Sequence, residues 1–263
     1  METEGPVSSD GSSLLRRRRS RRQRAERLCG DSSRAEPAIE LVGRHIERHL
    51  GPVTAVFDEI VSEVVHVHIQ HVRPAADRPF HTLVTSGMSD RTMAAPAAAP
   101  ACTHAELVAL LPPGWPLSRE AFANEAHYWP LRQLKLLARL PHECGTWLWS
   151  GHAVPNGDPP VPFAMSTKLC CSCLLPPVSL PESFAFLNAV DGRRIVFFAL
   201  VPLYREEMAF KLRAGSEALV DRLDKASVGD IIDPQRVNVC RLGLKRLLGN
   251  TRPTEHDTRT TDA

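Results

Sequence analysis

The segment Arg194 to Val201 is apolar on both faces, with Ile195, Phe197 and Ala199 on one side and Val196, Phe198 and Leu200 on the other. A strand of that kind belongs in the middle of a sheet that is covered on both sides. The strongest helical pattern follows it, from Tyr204 to about Ala226. Met208, Leu212, Leu219 and Leu223 form the apolar stripe of that helix, and Glu207–Lys211 and Asp221–Lys225 are favourable pairs one turn apart. The stripe is expected to pack on the sheet.

Upstream, Ile39, Val42, Ile46 and Leu50 recur at helical spacing, and Gly51-Pro52 ends the run. Val53 to Val61 is rich in β-branched residues and reads as a strand. In the next strand Val65, Val67 and Ile69 share one face, and His66, His68 and His71 are assigned to a wet face. Thr82 to Thr85 is a third strand that runs into Ser86-Gly87-Met88-Ser89-Asp90. Ala94 to Ala101 is an Ala/Pro loop, and Glu106 to Leu111 fits helix or strand until Pro112-Pro113-Gly114 stops it. Ser118 is expected to cap a helix from Arg119 to about Ala126. Pro130 then opens a second helix carrying Leu131, Leu134, Leu137 and Ala138, and Pro141 ends it. Thr146–Val154 and Lys168–Leu175 read as strands. Several strands follow one another through connections too short for a crossover helix. The expected fold is therefore α+β: a single domain with a mixed, largely antiparallel sheet covered by helices.

Charge divides the chain. Residues 1–36 hold nine arginines against six acids, a net +3, while the whole chain is +2, so the remainder is −1. The body has no positive field to gather nucleic acid, and no specific nucleic-acid partner is expected for it. Residues 1–36 are expected to be a disordered Arg-rich tail, either a solvated segment or an arm that touches nucleic acid or an acidic membrane. Residues 37–240 form the domain, and 241–263 a polar tail. The longest apolar run, Ile195 to Leu203, is too short for a bilayer, so no membrane association is expected. The arginine run is followed by Leu28-Cys29-Gly30-Asp31 and not by an apolar stretch. Together with seven irregularly spaced cysteines this suggests reduced thiols in a cytoplasm.

The stretch Gly145 to Pro160 concentrates unusual residues. Alternation would put Trp147, Trp149 and Gly151 on one face and His152 on the other. Asn156-Gly157 favours a tight turn, stiffened by Pro155, Pro159 and Pro160. The turn either presents Asn156 and Asp158 to a partner at little entropic cost or caps its own amides. Tyr204 and Arg205 are placed to reach a partner as well. Cys170, Cys171 and Cys173 lie in a strand with no cation inside the run, which favours buried thiols over a redox switch. His142, Cys144 and His152 together offer three zinc-type ligands. They support an alternative reading as a metal-dependent hydrolase, but no Cys-x-x-Cys pair completes them. There is no phosphate-binding glycine loop and no nucleophile elbow. Glu206 and Glu207 point to different sides of a helix, so no catalytic residues, metal or cofactor are assigned.

Several blocks resemble the Suppressor of Fused family in its bacterial single-domain form. They are Thr82–Asp90, Glu106–Pro113, Trp129–Pro141, Gly145–Pro160, Pro202–Leu212 and Asp233–Val239, spread over about Ile39 to Cys240. Val161, His68, Ala209 and Ala214 depart from the pattern, each softening a charge. The resemblance implies a compact domain that binds another protein without catalysis. Animal members sequester a transcription factor, and bacterial members include immunity proteins against toxins. The partner expected here is a protein, a toxin being one candidate. Its contact residues are expected to be Ser86, Met88, Asp90, Trp147, Trp149, His152, Asn156, Gly157 and Asp158.

Overall fold

The computed structural model describes residues 36–58, 65–99 and 103–241. Apart from Glu36 and Arg241, the two expected tails lie outside them. Among the described residues eight strands form one sheet: β1 (Ala55–Asp58), β2 (His68–Val72), β3 (His81–Ser86), β4 (His104–Leu111), β5 (Ala153–Pro155), β6 (Cys171–Leu175), β7 (Phe186–Asn188) and β8 (Arg194–Leu203). Their order is β1-β2-β3-β4-β8-β6-β5, with β7 also pairing β8. The β4–β8 pair is parallel, with His104 opposite Ile195, and the other pairs are antiparallel. β8 thus lies between β4 and β6, as its two apolar faces require. Glu106–Leu111, ambiguous in sequence, is strand, and it is buried throughout.

Among the described residues four α-helices cover the sheet: α1 (Ala38–Leu50), α2 (Glu125–Glu143), α3 (Arg205–Ala214) and α4 (Ser216–Lys225). Alternate residues of β8 sort the core into two sides. Ile195 and Phe197 join Ala38, Val42 and Ile46 of α1. Val201 and Leu203, on the same face, join Leu219 and Leu223 of α4. Phe198 and Leu200 face the other way, toward Leu131, Leu134, Leu137 and Ala138 of α2. The period-two pattern of one strand therefore decides which helices share a layer.

The single helix expected from Tyr204 to Ala226 is two helices. Gly215 sits at φ +91° between them, in a region that side chains other than glycine avoid. The break turns the expected stripe aside: Leu219 and Leu223 are buried, Met208 is half-buried, and Leu212 is 74% exposed. The expectation that Leu212 packs on the sheet is therefore wrong. Helix α2 starts at Glu125, where the Asn124 side chain accepts from the Ala126 amide at 3.0 Å, and it runs through both Pro130 and Pro141. Ser118 caps only a short 3-10 turn at Ala121–Ala123. Of the expected strand Thr146–Val154 only the end pairs, as part of β5, and the strand expected from Lys168 starts at Cys171.

His71 also departs from expectation. It shares its parity with Val67 and Ile69, not with His66 and His68, and it is buried. Its Nε2 lies 2.9 Å from His81 Nδ1, and His81 Nε2 lies 3.1 Å from the Pro113 carbonyl oxygen. A carbonyl only accepts, so His81 Nε2 carries the hydrogen and His71 Nε2 donates to His81 Nδ1. Burial above all, then the nearby His81, Arg73 and Arg78, lower the His71 pKa to about 4.

Two predictions follow from these placements. Leu223→Ala should cost about 2–5 kcal/mol by urea denaturation, while Leu212→Ala should stay within about 0.5 kcal/mol. Equal effects would contradict the helix break. For His71 the unfolded chain takes up the proton near 6.5 and the folded one near 4. Its contribution is complete above pH 6.5, shrinks as pH falls through this window, and is gone below about 4. Melting temperature should drop across that range, and His71→Gln should flatten the drop. An unchanged profile in the variant would exclude His71 as its source.

Candidate functional site

Two buried carboxylates organise most of the unusual sequence blocks. The first is Glu106 on β4, fully buried. It accepts from Thr85 Oγ1 at 2.6 Å, the Gly87 amide at 3.0 Å, the Ser89 amide at 2.9 Å and Ser89 Oγ at 2.6 Å. Burial pushes its pKa up, against the pull of these donors. A Cβ on Gly87 would lie 1.9 Å from the His66 carbonyl oxygen, so the turn admits only glycine. The short polar groups of Thr85–Asp90 thus face inward. Ser86 and Met88, expected to touch a partner, are fully buried and cannot form that surface. Ser86 Oγ accepts from Gln70 Nε2 at 3.0 Å instead. Asp90 is exposed, but its carboxylate accepts from the Ala38 amide that opens α1, at 2.7 Å, and lies 3.6 Å from Arg193.

The second is Glu207 on α3, also fully buried. Arg236 donates to both of its oxygens, at 2.8 and 2.5 Å. The amides of Val239 and Tyr204 each add a bond at 2.9 Å. Arg236 also donates to the Pro202 carbonyl at 2.8 Å, and Tyr204 Oη donates to the Arg236 carbonyl at 2.5 Å. One ion pair therefore binds the Pro202–Leu212 block to the Asp233–Val239 block. Glu206, one residue earlier, points outward to Asn238 Nδ2 at 2.9 Å and to Arg241.

The Gly145–Pro160 block meets this junction at its far end. Asn156 Nδ2 donates to the Val161 and Pro162 carbonyls at 2.9 and 3.2 Å, closing the turn on itself. Arg205 Nη2 donates to the Pro160 carbonyl at 2.5 Å and ties the turn to the first residue of α3. Between them opens a cleft of about 480 Å³, walled by Pro160, Lys168, Cys170, Tyr204, Arg205, Glu206 and Arg241 among others. Burial raises the Glu206 pKa, but its helix amide, Asn238 and Arg241 outweigh that and hold it below the ordinary carboxylate range. Burial pushes the Cys170 thiol up, so it is a poor nucleophile.

The aromatic part of the same block is loop rather than strand. Leu148 is buried between the half-buried Trp147 and Trp149. Trp147 meets the His152 ring edge-on at 4.8 Å, and Trp149 meets Phe198 at 5.3 Å. The Ser216 hydroxyl, at the start of α4, donates to the Gly151 carbonyl at 3.4 Å. The expected contact residues therefore separate. Asn156, Gly157 and Asp158 belong to the turn whose Pro160 and Pro162 wall the cleft where β8 ends, while Asp90 lies beside Arg193 where β8 begins. The ten residues of β8 set these ends about 30 Å apart. His142 Nε2 bonds the Met88 carbonyl at 2.9 Å, Cys144 is exposed, and His152 lies against Trp147. The three do not converge, and among the described residues no three His, Cys, Asp or Glu are grouped to hold a metal. No described helix is long and apolar enough to cross a membrane.

The sequence reading missed Lys168, Arg241 and the role of Arg236. A usable signal existed for Arg236, an arginine inside an apolar-flanked block at the end of the domain. Arg236→Met should destabilise the protein by about 3–5 kcal/mol, because Glu207 stays buried without its counter-charge. Adding Glu207→Leu should recover part of the loss in chemical denaturation. If the single substitution costs under about 1 kcal/mol, the pair does not hold the two blocks together.

The sequence profile of the Suppressor of fused protein (SUFU) family matches residues 63–237. A SUFU homolog from Neisseria gonorrhoeae superposes with a TM-score of 0.53 at 15% identity, over 77% of this chain and 94% of that one. A chain of the Sufu–Fu complex gives 0.57 at 12%, covering 84% of this chain and all (100%) of that one. Drosophila Suppressor of Fused gives 0.57 at 12%, covering 81% of this chain and 53% of that one. No curated protein sequence matches the chain. The profile spans most of the folded body, including Glu106, Glu207 and Arg236, and the chain belongs to the Suppressor of fused family.

Proposed function

We propose that this chain is a stoichiometric protein-binding module without turnover, an immunity-type protein that sequesters its partner in the cytoplasm. The observation that carries the reading is the Asn156–Pro162 turn. Its own hydrogen bonds and Arg205 hold it fixed at the rim of the cleft, with Gly157 and Asp158 exposed. A turn ordered before contact loses little entropy on binding. The Sufu–Fu complex, in which a protein of this fold is bound to another protein, supports the same reading. Trp147, Trp149 and His152 supply an aromatic flank of the type that anchors interfaces. Asn156 acts by shaping the turn, and Asp158 is the contacting side chain.

Asp158→Arg should weaken a purified partner by at least about tenfold, or 1.4 kcal/mol, at an unchanged melting temperature. Asn156→Ala should lower both binding and local order. Calorimetry should give a fixed stoichiometry with the partner. If Asp158→Arg lowers stability and leaves binding intact, the turn is structural only. If the pure protein turns over a substrate, the binding reading itself is wrong.

A further inference from the structure

The cleft beside the Asn156 turn carries an excess of positive charge. Its walls carry three cations, Lys168, Arg205 and Arg241, against one acid, Glu206. Arg241 is paired with Glu206 at 2.6 Å. Lys168 is exposed, and among the described residues its ammonium has no anionic partner. Arg205 reaches the Pro160 carbonyl, which orients the guanidinium without neutralising it. Two positive charges thus line a concave space whose other walls include the stiff Pro160 and Pro162 and the residue Tyr204. Tyr204 is itself held, since its hydroxyl donates to the Arg236 carbonyl. The nearby carboxylate Glu206 is already engaged by Asn238 and Arg241, so it does not neutralise the other two cations.

We infer that this cleft receives an acidic segment of the protein partner, with a carboxylate seated between Lys168 and Arg205. The inference rests on the protein-binding reading and names the chemistry of the partner. A volume of about 480 Å³ holds several side chains, more than one small anion needs. Planar bidentate recognition by an arginine already fixed in place suits a carboxylate. A nucleic-acid strand fits less well: the body outside residues 1–36 has net charge −1, and Tyr204 is the only aromatic on the walls, with no free face-to-face neighbour for stacking successive bases. The charge that selects the ligand is therefore local to the cleft and not a property of the whole surface.

The test uses the full chain and fluorescein-labelled hexapeptides of glutamate, glutamine and lysine, followed by fluorescence anisotropy at low salt. The glutamate peptide should bind at least about tenfold tighter than either control, a gap of one decade. Raising the salt should weaken it, as expected for a partly solvated charge contact. Lys168→Glu, at an exposed side chain with no ion pair among the described residues, should abolish the preference at an unchanged melting temperature. Arg205→Gln should lower it, with melting measured in parallel because Arg205 also holds the turn. Equal binding of the glutamate and glutamine peptides overturns the inference, as does full binding by Lys168→Glu. Inorganic phosphate binding as tightly as the glutamate peptide would make the cleft a free-anion site and overturn it too. So would tighter binding of an oligothymidylate. The peptides probe only the charge preference of the cleft. Their failure leaves the binding module standing, while failure of that module appears as turnover or as lack of stoichiometry with the partner.

Discussion

The buried pair of Glu207 and Arg236 is the contact on which the functional end of this domain depends. Both side chains are buried, and together they engage two amides and the Pro202 carbonyl. Taking two charges out of water costs several kcal/mol per ion, so the pair is a poor source of net stability against an apolar replacement. What it supplies is position. It joins the end of β8, the start of α3 and the segment after Asp233 through directed bonds. The walls of the cleft are neighbours of this pair: Tyr204, Arg205 and Glu206 precede Glu207, and Asn238 follows Arg236.

Glu106 does the same work at the other end of the sheet. Its carboxylate gathers four donors from a six-residue stretch that reads as a polar exit loop. Short polar residues and a glycine are equally what a ligand-binding loop and a self-satisfied turn require. The difference lies in an acid on a neighbouring strand, 17 to 21 residues away in sequence. The strongest sequence blocks are in this sense internal wiring, and the exposed chemistry sits on their margins, at Asp158, Lys168, Arg205 and Arg241.

Much of the fold was legible because it is written in short-range periodicity. The doubly apolar β8, the α1 stripe and the α2 stripe each announce their partner face within a dozen residues, and the mixed sheet follows from connection lengths. The errors have physical causes of the same range. The apolar stripe from Tyr204 to Ala226 carries no mark of a break, yet Gly215 adopts a positive φ and splits the helix, which exposes Leu212. His71 was grouped with two histidines of opposite parity. Asn124 was passed over as a cap in favour of Ser118. The candidate site was less legible, since it needs distances that no local pattern carries. Ser86 and Met88 look like surface until Glu106 is seen beneath them. Lys168 has no sequence signal at all, and it acquires meaning only from lining the same cleft as Arg205.

The parallel pairing of β4 with β8 has a consequence for how the chain is made. It joins His104–Val108 to Ile195–Ala199, and every other strand pair closes a shorter loop or lies within one half. Until Ile195 leaves the ribosome, β4 has no partner on that side, and its apolar residues Leu107 to Leu111 present an open edge. Closing so long a loop is slow, because its entropy must be surrendered before the contact rewards it. The half-made sheet is thus the state of this protein most open to association with other nascent chains, and the seam between β4 and β8 is where biosynthesis commits it to the folded form.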